Sequence, residues 1–267
     1  MTKEPDCATA QCAAWRLQEE YAIVNPATVQ LENLAMELGI LVEEGGLDGS
    51  EARLYRKGKR GVIRIRDGIL EIGRRRFALA HELGHWELHP SLFQVHVCSE
   101  SDIRDYAGSW PEIEANIFAS ELLMPRGLFT TRCAGLDLSL ESVAALASEF
   151  LVTLTAAAVR LVDLNSDGCF VVFSEQKRVR WWRKSRSACG LWLESSQKVD
   201  PLSHAWDCFE GRPSLHEMRR VKIDTWFPHV GNQDKMVSLF EQSTQLGSYP
   251  TVLTLLWMTE RDEEESW

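Results

Sequence analysis

Within FALAHELGHWELHP, residues 77–90, two histidines and a glutamate stand at a spacing that can grip a metal ion. On a helix His81 and His85 lie four residues apart, so both imidazoles project from one face toward a common point. Glu82 sits one step round the same turn, close enough to take a proton from water held at such an ion. Zinc chemistry uses this arrangement because the ion lowers the pKa of water while a carboxylate accepts the proton. The flanking Phe77, Ala78, Leu79, Ala80, Leu83 and Trp86 make the helix strongly apolar. Ionisable groups buried there are expensive without partners. The competing reading is a set of core residues satisfied by hydrogen bonds, and a third ligand downstream separates the two.

His89 extends the row by four more residues, but one straight helix cannot wrap three consecutive turns around one ion. It is read as a structural group behind the ligands. His96 and Cys98 follow in an expected loop and are lesser candidates. PEIEANIFASELLMP, residues 111–125, offers more. At about 100° per residue, Ala115, Phe118, Ala119, Leu122 and Leu123 form one apolar stripe. Glu112 falls on its edge, while Glu114 and Glu121 are expected on the other side. A carboxylate beside small alanines, which let a second helix approach, suits a metal ligand, and Asn116 one turn later could orient one. Ser109-x-x-Glu112 also matches a capping box, in which Glu112 would only satisfy the helix start. Glu114 is the alternative ligand. Pro111 fits the first turn and Pro125 marks the end.

FALAHELGHWELH followed by EIEANIFASELLMP resembles the ImmA/IrrE family of bacterial zinc-dependent metallopeptidases. The likeness is specific over about residues 25–125 and weaker beyond. It implies that His81, His85 and Glu112 bind the metal and that Glu82 is the catalytic base. It also implies a substrate: family members act on helix-turn-helix repressors of the Xre type, relieving repression in stress responses or mobile elements. Zinc is the expected metal, and manganese or iron can also occupy a His₂Glu site. Tyr106 and His89 are the candidates for stabilising the oxyanion.

The 267 residues, 45% hydrophobic and 25% charged, allow more than one domain with an ordinary core. No apolar run approaches the ~18 residues of a membrane span. The start lacks a continuous apolar leader, so a cytoplasmic location is expected. Seven cysteines without regular spacing then read as reduced thiols. A net charge of −10 disfavours a phosphate backbone as partner. One local exception is KRVRWWRKSR, residues 177–186, where six basic residues surround Trp181 and Trp182. That mixture can bind nucleic acid, but it also reads as a strand burying Val179 and Trp181 with charge outward, and the strand is the better reading.

A short helix is expected at 11–20 and an amphipathic one at 26–38, closed by Gly39. Strands follow around 40–44, 51–57 and 61–66, with GKRG at 58–61 as a hairpin turn. The strand at Gly61–Arg66, or its neighbour, is expected to hold an extended substrate by backbone hydrogen bonds. SLESVAALASEFLVTLTAAAVRLVDL gives two short helices broken near Val152-Thr153, resembling a helix-turn-helix. Only Arg160 decorates the second, which favours packing over DNA contact. From about 166, CFVVFS, VRWWRK, GLWLES, MRRVKIDTWF and TVLTLLWM read as strands, with one helix near 233–242. Trp181, Trp192, Trp226 and Trp257 read as core.

The expected fold is α+β. It comprises a zincin-like metallopeptidase domain at 1–132, a helix-turn-helix-like helical segment at 133–165, and an antiparallel-sheet domain at 166–267, for which the resemblance to related regulatory proteases implies a GAF-like domain that could sense a ligand. The expected function is a zinc-dependent endopeptidase cleaving an Xre-type repressor. Its alternative is a DNA-binding transcriptional regulator, or a module that sequesters a repressor, with a structural metal site.

Overall fold

The computed structural model describes residues 4–90, 109–212, 217–230, 238–247 and 250–258. The expectations for His96, Cys98, Tyr106 and the first half of a 233–242 helix lie outside these residues. The chain divides into two compact units, one of residues 1–132 with 146–156, the other of 133–145 with 157–267. Residues 133–165, expected as a segment of their own, are thus shared between the two. Both units mix helices with a sheet, so the class is α+β as expected.

The first unit opens with α1 (Cys7–Glu20), whose N-cap Asp6 accepts from the Thr9 amide. The expected 26–38 helix is split into a 3₁₀ turn at Pro26–Thr28 and α2 (Leu31–Glu37), because Val29 is extended. Arg76 holds the break, donating to the carbonyls of Pro26 and Val29 at 2.6 and 2.8 Å. Three strands follow, β1 (Ile40–Gly45), β2 (Ala52–Lys57) and β3 (Arg60–Arg66), in the order β1-β3-β2. The β2–β3 hairpin turns on Gly58 and Lys59, with Gly58 at φ +62°, a conformation that favours glycine. β3 is therefore central, parallel to β1 and antiparallel to β2, and both its edges are paired. A substrate strand cannot add to Gly61–Arg66, which corrects that expectation; among the described residues its neighbours β1 and β2 are the edge strands of this sheet.

The two helices that carry the motifs are α3 (Ile72–Leu88) and α4 (Trp110–Leu123), and they pack directly on each other. At their crossing a Cβ on Gly84 would lie 3.1 Å from the Ala115 Cα. α5 (Arg126–Cys133) follows, and Phe129 packs its ring on Phe150. α6 (Leu140–Phe150) and α7 (Leu154–Leu164) meet at 110°, the corner being Leu151 at φ +51° in place of the usual glycine. No single described helix is long and apolar enough to cross a membrane.

In the second unit β4 (Cys169–Glu175), β5 (Arg178–Lys184), β6 (Arg219–Lys222), β7 (Ser238–Gln245) and β8 (Thr251–Met258) form an antiparallel sheet in the order β5-β4-β8-β7-β6. Short helices α8 (His204–Phe209) and α9 (Ile223–Trp226) accompany it, and Phe170, Val172, Trp226, Phe227, Leu239 and Leu256 belong to one core. β5 is an edge strand that buries Val179 and Trp181, as its alternation requires. Its basic neighbours have acidic partners: Arg180 pairs with Glu175, and Lys177 with Glu210. Four expectations fail here. GLWLES is irregular, and Trp192 is 56% exposed. IDTW, inside the expected MRRVKIDTWF strand, is helical. The last part of the expected 233–242 helix is β7, which lies between β6 and β8. Buried Glu241 breaks its alternation by accepting from Ala205 N–H and Trp226 Nε1–H.

Candidate metal centre

α3 is apolar enough to be buried from Phe77 to Trp86, which carries its polar residues inward with it. His81, Glu82 and His85 are fully buried. The i, i+4 spacing brings the His81 and His85 rings edge to face with centroids 4.6 Å apart, and their Nε2 atoms to 3.0 Å. From α4, Glu112 places Oε2 3.1 Å from His81 Nε2 and Oε1 3.4 Å from His85 Nε2. One donor atom from each of the three lies within 4.8 Å of the others. The absence of a side chain on Gly84 is what allows α4 this close.

The capping-box alternative for Glu112 is not formed. Ser109 is the N-cap residue of α4, yet its hydroxyl makes no cap hydrogen bond, and the Glu112 carboxylate turns to the histidines. Asn116, one turn on, accepts from His81 Nδ1–H at 2.9 Å and so aims Nε2 into the site. Glu114 and Glu121, expected on a solvent side, are buried instead. α1 covers that flank of α4: the Asp6 amide donates to Glu114 Oε1 at 2.7 Å and Trp15 Nε1–H to Glu121 Oε1 at 2.7 Å. Glu114 Oε2 also meets His89 Nε2 at 2.9 Å, and His89 Nδ1 lies 3.0 Å from His85 Nδ1. His89 thus stands behind His85 rather than at the site. Nothing local in the sequence marks Glu114 as buried, because its cover comes from 108 residues away.

The electrostatics fit a cation. Burial opposes ionising Glu112, but the hydrogen bond from His81 Nε2–H and the adjoining His85 ring hold its carboxyl well below the usual range. Burial drives His85 down to about 3, against the Glu112 hydrogen bond. Burial also opposes charge on His81, yet the Glu112 hydrogen bond and carboxylate, helped by Glu82, carry it above its ordinary value. Two nitrogen lone pairs and a carboxylate converging in the interior form a donor set suited to a divalent ion.

Residues 30–162 match the IrrE N-terminal-like domain. No curated protein matches the sequence at a significant level. Eleven solved chains match it in structure. One is a Mycobacterium tuberculosis transcriptional regulator, with a TM-score of 0.63 and 17% identity over 93% of this chain and 76% of the other. That likeness is one of fold.

Proposed function

From the premise that the chain belongs to the ImmA/IrrE family through its IrrE N-terminal-like domain, we propose that it is a metal-dependent endopeptidase. The observation that carries this reading is the convergence of His81, His85 and Glu112 beside a buried Glu82. His81 and His85 would hold the ion through Nε2 and Glu112 through its carboxylate. Zinc is the first choice, and manganese suits the same donors. A bound divalent ion supplies positive charge that acidifies water and polarises the scissile carbonyl. Glu82 takes a proton from the attacking water at a carboxylate oxygen. It then delivers that proton to the amide nitrogen as the C–N bond breaks.

The substrate we assign is a helix-turn-helix repressor of the Xre type, cleaved to relieve repression in a stress or mobile-element response. It enters as an extended segment against β2. Among the described residues this strand is at the edge of its sheet, and it packs along α3, where Arg56 donates to the Trp86 carbonyl at 2.6 Å. Proline placed in β2 should then impair cleavage; intact fold with intact cleavage rules the strand out. The deciding experiment incubates the protein with the repressor encoded nearest to its gene. Fragments that vanish with chelator support the reading, whereas an uncut repressor in a stable complex favours sequestration.

A regulator reading draws on the name of the mycobacterial neighbour. In this chain α7 would have to read the bases, but from Ala156 to Val162 it is buried, Arg160 included. Asp163 is its one exposed residue, the wrong sign for a phosphate backbone. The supported reading is the peptidase.

A further inference from the structure

His85, His89, Glu114 and the Asp6 amide form a continuous row that begins at the metal site and ends at the N-terminal helix. The row has a direction set by chemistry. Glu114 is buried, and its two carboxyl oxygens face the Asp6 amide at 2.7 Å and His89 Nε2 at 2.9 Å. A His85 that gives Nε2 to a metal keeps its proton on Nδ1, which donates across 3.0 Å to His89 Nδ1 and leaves His89 Nε2–H for Glu114. With its proton on Nδ1, His85 has a bare Nε2, the atom that faces Glu112 and His81.

His89 is well placed for this. It is the C-cap of α3, and its backbone leaves helical geometry at φ −124° while its amide still donates to the His85 carbonyl. Its ring therefore folds back along the helix toward His85, with centroids 5.2 Å apart, and Trp110 packs edge-on against its other side at 5.4 Å. His81 is oriented independently by Asn116. The two ligands thus draw their orientation from opposite ends of the site.

We propose that His89 and Glu114 are positioning residues that fix the Nδ1–H tautomer of His85, and that the Asp6 amide at the start of α1 completes the row. This inference rests on the metal-site reading above but not on peptide hydrolysis. Removal of such a supporting partner typically costs about 10–100-fold in metal affinity.

The first test uses metal-free wild-type protein with ¹⁵N-labelled histidine, because long-range ¹H–¹⁵N correlation reports which ring nitrogen carries the proton. The Nδ1–H form of His85 is expected; the Nε2–H form overturns the proposal, whatever the protein's activity. The second measures zinc affinity by chelator competition in His89→Phe and Glu114→Gln. His89→Phe keeps an aromatic ring against Trp110, and Glu114→Gln keeps the side chain's size. Affinity about 10–100-fold weaker, in a variant whose melting curve shows it folded, is expected. Unchanged affinity in both folded variants overturns the proposal. If wild-type protein bound no metal, the peptidase reading would fall while the tautomer measurement still decided the row.

Discussion

Gly84 and Ala115 touch where α3 crosses α4: a Cβ built on Gly84 would lie 3.1 Å from the Ala115 Cα and 3.2 Å from its carbonyl oxygen. Both neighbours are backbone or fixed to it, so the contact sets the separation of the helices. Gly84→Ala should force them apart and draw Glu112 away from the histidines. Overpacking of this kind costs about 1–3 kcal/mol. The expected result is a lower melting temperature together with weaker zinc binding in a chelator titration. A variant with wild-type affinity would show that the separation is not critical.

Glu82→Gln should keep the metal and lose hydrolysis. The amide cannot accept a proton, and general-base catalysis contributes about 10²–10⁴-fold. His81→Ala should lose both, because only two ligands remain. Metal content and fragment yield, measured on the same preparations, separate the two outcomes; cleavage retained by metal-loaded Glu82→Gln contradicts the base assignment.

Stripping the metal should destabilise the protein through linkage. At a free metal concentration one hundred times the dissociation constant, binding adds about 2.7 kcal/mol. For a unit of this size that is roughly 5–10 °C. Calorimetry with and without chelator reads the shift. Glu112→Gln should shrink it, since the carboxylate is the only negative ligand in the set.

The thiols should divide by exposure. Cys7, Cys12 and Cys189 are exposed, whereas burial pushes Cys169 up to about 12 and Cys208 up to about 11. A raised thiol pKa means less thiolate, so at pH 8 these two are almost wholly protonated and react slowly. Raising the pH toward 11 should speed the labelling of both. Peptide mapping after brief alkylation checks the division, and rapid labelling of Cys169 in the native protein would contradict the placement of β4.

How far the sequence could be read depended on where each element's partners lie. The HELGH helix was legible because its own periodicity places His81 and His85 on one face. Glu112 was legible as a candidate only because Ala115 and Ala119 announce a close helix contact, and its choice between ligand and cap needed the structure. Glu114 and Glu121 were misread, since a buried acid looks like a surface acid until α1 donates to it from far along the chain. β7 hid for a related reason. Glu241, Gln242 and Ser243 are polar yet buried, paired with α8, α6 and β8 rather than with water. The Gly61–Arg66 strand was placed correctly, but its central position follows from β1 pairing across a gap in sequence.

The latch between α1 and α4 bears on how the protein can be dissected. A fragment trimmed to residues 30–162 would retain every ligand of the site but would strip one donor from each of two interior acids, leaving Glu114 with His89 and Glu121 with the Arg126 amide. Water would have to replace the lost donors, and the helix bearing Glu112 would lose its support on that flank. The excised piece is therefore a poorer guide to catalytic competence than the intact chain, even though it holds every atom of the chemistry.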